Sequence, residues 1–383
     1  MSNIPKWVYK YPKKDRHGNK IGGHVWRARY RDRAGQEHTK HFPKKSDAER
    51  WLEEITADIV TGNYVDPKAG RQTLKSYAEE WRKRRVSIRE SSARDYETQL
   101  RRHVYPHLGS TSLIDLERTQ IQDWVALLNQ SLAPTTVRKV HGILSSVLND
   151  AVLNKKLASN PCVKPDLPEV VSTRVEIPTP EVVRAIYDNM TAEYQAMVHL
   201  AAASGVRQGE AFGLTRDRVN FLRKTIVIDR QAVISKGGPK FGPPKREKSN
   251  REIPVPDDLI VELAQHVDKY NVAPTGLLFT AQDGLFVRKA TFNTGPWKDA
   301  CKAAHAPGFT FHGLRHYYAS LLIRYGESVK TVQARLGHAT AAETLDTYAH
   351  LWPDSDDRTR KAAATALMVS ENIGEDAGNT IPL

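Results

Sequence analysis

Between residues 74 and 151, apolar side chains return every three or four positions, a spacing that gathers them on one side of α-helices and on no other regular element. Leu74, Tyr77, Ala78 and Trp81 form one stripe; Ala93, Tyr96, Leu100 and Val104 a second; Ile121, Trp124, Val125 and Leu128 a third; Val137, Val140, Leu144, Val147, Leu148 and Ala151 the last. About four amphipathic helices are expected, the last opening near Pro134, whose fixed φ and missing N–H suit a first helical turn. Asn160-Pro161 ends the pattern, and the Pro- and Val-rich stretch 165–173 reads as a linker. A chain of 383 residues leaves room on either side for a domain with its own core. The expected division is 1–66, 72–163 and 174–383.

The amino end has a different period. In His24-Val25-Trp26-Arg27-Ala28-Arg29-Tyr30-Arg31, alternation puts Trp26, Ala28 and Tyr30 on one face of a strand and Arg27, Arg29 and Arg31 on the other. A turn at 32–35, a second strand over 37–42 and a helix from Ser46 to about Val60 follow, the helix starting on a capping box at Ser46-Asp47-Ala48-Glu49. The arginine face is either a solvated edge or a phosphate-binding surface. Charge favours the second: residues 1–50 carry 14 Lys and Arg against five acids, within a chain of net charge +13. Such a balance fits a polyanionic partner, nucleic acid first and an anionic membrane surface second. Arg82-Lys83-Arg84-Arg85, after the first helical stripe, is a second basic candidate.

No apolar run approaches the roughly 18–20 residues that span a bilayer, and the polar start is not read as a signal peptide. Cys162 and Cys301 are the only cysteines and stand far apart, which excludes a disulfide framework and a zinc module of paired cysteines. A reduced cytoplasm is expected.

The third region mixes types, with helices expected over 181–189 and 194–203, strands over 225–229 and 251–255, then helices to the end. Between the strands, 236–248 reads as a long basic loop. It is no P-loop, because Pro243 stands where the lysine must be. Gly205 should end one helix and Gln208 begin the next, placing Arg207 beside fresh helix N–H groups, a corner suited to an anionic oxygen; the plainer alternative is a local Arg207–Glu210 pair at i,i+3. In His312-Gly313-Leu314-Arg315-His316, separation by three puts His312 and Arg315 on one helix face, a base beside a phosphate fork. His312 and His316 could instead hold a metal, though no third ligand declares itself. Leu336-Gly337-His338 looks like a helix stop followed by a histidine, and Tyr348 comes ten residues later on a short helix beginning near Ala342. Lys236, Lys240, Lys245 and Lys248 compete as the basic-loop lysine.

In this order the fragments resemble the tyrosine recombinase, or phage integrase, family. Gly205-Val206-Arg207-Gln208-Gly209-Glu210, His312-Gly313-Leu314-Arg315, Leu336-Gly337-His338 and Tyr348 match its signature in sequence and spacing. Pro244-Lys245 ahead of Arg251-Glu252-Ile253-Pro254 looks like the family's lysine hairpin, with Arg246 in place of a threonine, and selects Lys245. The resemblance implies a mainly α fold with small β elements: an α+β arm-type DNA-binding domain, a four-helix, SAM-like core-binding domain, and a mixed, mainly α catalytic domain with a carboxy-terminal tail.

The resemblance also implies the chemistry. Attack on a phosphodiester needs an in-line nucleophile, relief of charge on the non-bridging oxygens and a proton for the leaving oxygen. Tyr348 would be the nucleophile, His312 its base, Arg207 and Arg315 the clamp, Lys245 the acid, and His338 a further donor to the phosphate. The implied product is a 3′-phosphotyrosine, formed without metal, ATP or other cofactor. Implied partners are double-stranded DNA attachment sites, three further copies of the chain on that DNA, a host DNA-bending protein and an excisionase, in the nucleoid of a bacterial host. A type IB topoisomerase and a catalytically silent DNA-binding regulator are the competing readings. Residues 353–383 are acidic, and 362–368 could form a helix that docks on a neighbouring copy.

Overall fold

The computed structural model describes residues 6–14, 16–32, 35–61, 69–171, 176–235, 237–244, 249–270, 275–352 and 360. The chain divides into two compact units, Met1–Val171 and Ser172–Leu383.

The first unit holds two separate hydrophobic cores. Strands β1 (Lys6–Lys14), β2 (Lys20–Arg31) and β3 (Glu37–Phe42) form an antiparallel sheet in that order. Helix α1 (Lys45–Thr61) covers one face, with Ala28 and Tyr30 of β2 buried against Ala48, Leu52 and Ile59. The alternation at 24–31 therefore assigns the buried face correctly. It does not by itself locate β1, the antiparallel partner of that strand.

The other core is helical: α2 (Leu74–Arg84), α3 (Glu90–Gln99), α4 (Tyr105–Leu108), α5 (Arg118–Asn129) and α6 (Pro134–Leu153). A π-turn, Leu100–Val104, joins α3 to α4, so these two make the second of the four expected helices. The indole of Trp124 donates to the His103 carbonyl at 2.8 Å, satisfying an oxygen within that turn. All four apolar stripes supply buried side chains, including Leu74, Leu100, Trp124 and Leu144. Pro134 is the first residue of α6. The Asn160 amide donates to the Ser145 carbonyl and to Asn149, which fastens the Asn160-Pro161 break to α6.

In the second unit, α7 (Pro180–Asp188), α8 (Ala192–Ser204) and α9 (Gln208–Phe212) precede the strands. Strands β4 (Val219–Asn220), β5 (Thr225–Ile228) and β8 (Arg251–Pro254) form one antiparallel sheet; β6 (Gln231–Ser235) and β7 (Gly238–Gly242) form a separate hairpin. The basic segment is thus not a plain loop: its first part is β7, zipped to β6 from Ser235↔Gly238 to Gln231↔Gly242. Helices α10 (Asp257–Tyr270), α11 (Lys289–Thr294), α12 (Pro296–Ala303), α13 (Phe311–Arg324), α14 (Val329–Leu336) and α15 (Ala341–Tyr348) follow. Met197, Leu200 and Ala201 of α8 pack with Phe212, Ile253 and Leu314 in the main core. Tyr318, Ile323, Val332, Leu336 and Tyr348 form a smaller one, which fixes α13, α14 and α15 against each other.

Candidate active site

Two helices of the second unit stop on left-handed glycines, and both stops serve one side chain. Gly205 after α8 has φ +62, and a Cβ there would meet Tyr318 at 2.5 Å; Gly337 after α14 has φ +65. Glycine alone meets both demands at Gly205. The Gly205 carbonyl accepts from Arg315 Nη1 at 2.8 Å and the Leu336 carbonyl from Nη2 at 2.6 Å. Arg315 is 1% exposed, and these helix-terminal carbonyls supply the partial negative charge that holds a buried cation. Burial, then the charges of Arg207 and Arg251, push its guanidinium down to about 9, still protonated at neutral pH. Two of five donors are committed to those carbonyls, which leaves N–H groups for an anion.

Arg207 caps α9. The local pair with Glu210 is present: its backbone N–H donates to Glu210 Oε2 at 2.8 Å and its Nη1 to Oε1 at 3.0 Å, while its side chain stays 24% exposed. Glu210 also accepts from Arg251 Nη2 at 2.8 Å. Burial alone would raise the Glu210 carboxyl, but Arg251, with Arg207 behind it, holds it at about 2. Arg251 reaches further, donating to the Arg335 carbonyl at the end of α14 at 2.8 Å. Two guanidinium groups, Arg207 and Arg251, thus share one carboxylate, with the Arg315 charge close by, leaving net positive charge where a phosphate could bind.

Tyr348, at the end of α15, is 1% exposed. Its hydroxyl lies 2.8 Å from His316 Nδ1. Burial pushes the phenol up to about 12 while Arg315 and Arg207 pull it back, which leaves about one phenolate in 10⁵ at pH 7. Burial, then Arg315, lowers the His316 imidazole below its ordinary value. The ring of His338 stacks at 10° to that of Tyr348, 6.5 Å between centroids. His338 Nδ1 is 2.9 Å from the Thr344 hydroxyl, so with that hydroxyl donating, Nε2 carries the hydrogen and can donate to an anion. Burial and the nearby guanidinium groups hold His338 down at about 4.

Arg207, Arg315, His338 and Tyr348 are therefore brought together, as the motifs require. His312 is exposed on α13, its ring edge-to-face with His316 at 4.7 Å. The residue at the phenol oxygen is His316, which the sequence offered only as a metal ligand. Arg251 and Thr344 carried no sequence signal, because their contacts span other elements or one turn of an ordinary helix. Among the described residues, no three His, Cys, Asp or Glu side chains cluster as a metal site would need. Lys245, with Lys236 and Lys248, lies outside the described residues, as does the tail segment 362–368. Ser249, which follows Lys248, is buried with its hydroxyl 3.5 Å from the Gly337 carbonyl.

The first unit presents a second charged surface. On the sheet face opposite α1, Arg27 lies over Tyr11 at 4.9 Å and Arg29 over Trp7 at 5.3 Å. Arg29 pairs with Glu37, and Arg31 remains half exposed 3.8 Å from the same carboxylate. In the helical cluster, Arg82 is tied to Glu79 and Glu97, Arg84 to Glu80 and Asp150, and Arg85 lies over Trp81 at 4.8 Å. Lys83 is exposed.

Residues 178–354 match the phage integrase family, and residues 73–129 match the phage integrase, N-terminal SAM-like domain. The integrase of Mycobacterium phage D29 is 26% identical over 312 residues, covering 79% of this chain and 83% of its own. Among solved structures, the Tn1549 transposon integrase in complex with a circular intermediate DNA superposes with a TM-score of 0.66 at 17% identity, over 77% of this chain and 99% of that one. A lambda integrase tetramer bound to a Holliday junction gives a TM-score of 0.55 at 17% identity, over 82% and 94%.

Proposed function

The chain belongs to the phage integrase family of tyrosine recombinases and is a site-specific DNA recombinase, and we propose that Tyr348 is the residue that cuts and carries the strand. Its phenol oxygen attacks the scissile phosphorus, displacing the 5′-oxygen and leaving a 3′-phosphotyrosine. Arg207 and Arg315 fork onto the non-bridging oxygens, a charge-neutralising role that Mg²⁺ takes in many nucleases. His338 donates through Nε2, Lys245 protonates the leaving oxygen, and α13, with imidazoles at His312 and His316, takes the phenol proton. Because the phosphotyrosine keeps the energy of the bond it replaces, a 5′-hydroxyl from another strand can attack it and reseal DNA without ATP.

The observation that carries this reading is the Tyr348 hydroxyl at 2.8 Å from the half-buried imidazole of His316, next to Arg315. A nicked suicide duplex from the element's own attachment region tests it. Wild-type chain should leave a detergent-resistant adduct on denaturing electrophoresis, and Tyr348→Phe should bind the duplex and leave none. An adduct from the phenylalanine variant would overturn the assignment.

Arg27, Arg29 and Arg31 on the open sheet face engage DNA backbone at a second, distal site, with the aromatic rings beneath them keeping the guanidinium groups raised. Lys83 and its neighbours Arg82, Arg84 and Arg85 contribute at the core site. Four copies act on paired attachment sites, as the lambda tetramer on its junction supports by analogy of fold. A host DNA-bending protein and an excisionase set direction, in the nucleoid of a bacterial host. No helix among the described residues is long and apolar enough to cross a membrane.

A further inference from the structure

The imidazole at the nucleophile is held in place by the same turn of helix that buries the clamp. Arg315 is pinned through both Nη atoms to the carbonyls of Gly205 and Leu336, and His316 is the next residue along α13. His316 is half-buried, and its Nδ1 meets the Tyr348 hydroxyl at 2.8 Å with the rings edge-to-face. His312 sits one turn earlier, exposed, with its ring against His316. Resting on the reading of Tyr348 as nucleophile, we propose that His316, and not His312, is the catalytic residue that accepts the phenol proton during cleavage and returns it during rejoining.

The step balances. As the bond from Tyr348 Oη to phosphorus forms, the phenol proton passes to His316 Nδ1. The bond from phosphorus to the 5′-oxygen breaks, its electron pair goes to that oxygen, and the oxygen takes a proton from the general acid, Lys245 in the reading above. On rejoining, the incoming 5′-hydroxyl gives its proton to the neutral lysine, and the departing phenolate takes back the proton from His316.

The groups facing this imidazole make it an acceptor that does not keep its proton. Arg315 and His312 stand on its own helix, Tyr348 on α15, His338 beside Tyr348, and Arg207, Glu210 and Arg251 form the guanidinium cluster next to Arg315. Burial and the Arg315 charge hold His316 neutral at pH 7, and the same charge makes the imidazolium a ready donor for the return.

The test uses the full chain on suicide duplexes whose scissile bridging atom is either oxygen or sulfur, the sulfur leaving without a general acid. His316→Asn should bind the duplex as wild type does and form adduct at least about 100-fold more slowly at pH 7, the ordinary range for a lost base. Raising the pH should close that gap by about tenfold per unit, as hydroxide replaces the missing base, and sulfur should not restore the rate. His316→Gln, which keeps a polar contact to the phenol but cannot take its proton, should behave alike; His312→Asn should show a deficit that does not close with pH. A His316 deficit constant with pH, or one erased by sulfur, overturns the proposal. Adduct from Tyr348→Phe on the same gel would instead bring down the nucleophile assignment, and the proposal with it.

Discussion

Arg315 is the largest of the fully buried side chains, and a wholly buried cation survives only where its donors are met. The sequence named it from a three-residue spacing, along with Arg207, His338 and Tyr348. That spacing said nothing of Arg251, whose partners Glu210 and the Arg335 carbonyl lie 41 and 84 residues away. Motifs show chemistry that repeats along a chain; they do not show which distant carbonyl or carboxylate will hold it. Glu210 gives the clearest residue-scale expectation. Its folded carboxyl sits at about 2 against an ordinary 4.5, so its stabilising contribution is complete above about pH 4.5 and is lost as pH falls from there toward 2. The shift corresponds to about 3 kcal/mol. Glu210→Gln strands a buried guanidinium, which costs about 3–5 kcal/mol. In thermal melts at a series of pH values, the gap in stability between wild type and variant should narrow steadily between pH 4.5 and 2; a gap that stays constant would remove Glu210 from the network.

Elements were legible where one period ran uninterrupted. The four helical stripes, the α8 stop at Gly205 and the α14 stop at Gly337 all follow from the sequence, since a 3.6-residue stripe and a glycine after it are local signals. The π-turn within the second stripe is not, because it keeps the apolar spacing while changing the backbone bonding. Nor are β1 and the β6–β7 hairpin, whose pairing depends on register between strands and not on either strand alone. Register is what turns the arginine face into a surface: Tyr9↔Arg27 and Trp7↔Arg29 are cross-strand partners, and each ring supports a guanidinium. If that face reads DNA backbone, Arg27→Ala should weaken binding at the distal site across all sequences and reduce the slope of log affinity against log salt by about 0.9, one counterion's worth. Titration by fluorescence anisotropy between low and moderate salt measures it, and an unchanged slope would remove Arg27 from the interface.

At the scale of the molecule, the tyrosine and the residues around it belong to one chain. The Tyr348 hydroxyl meets His316 of its own second unit, so each copy should cut with its own nucleophile. Mixing Tyr348→Phe with Arg315→Ala chains on one substrate should therefore yield no adduct above that of either alone; restored cleavage would mean that tyrosines are exchanged between neighbours. The order of the motifs pointed to Arg207, Arg315, His338 and Tyr348, though not to His316, and could not say whose tyrosine serves whose arginines, because a linear order is the same in either arrangement. The covered phenol has a consequence of another kind. A protein that searches a chromosome passes countless ordinary phosphodiesters for each one it should open. If Tyr348 is the nucleophile, its hydroxyl, sheathed from water in the free chain, should make the idle protein a poor nuclease, and the packing of a single ring would then guard the DNA it passes.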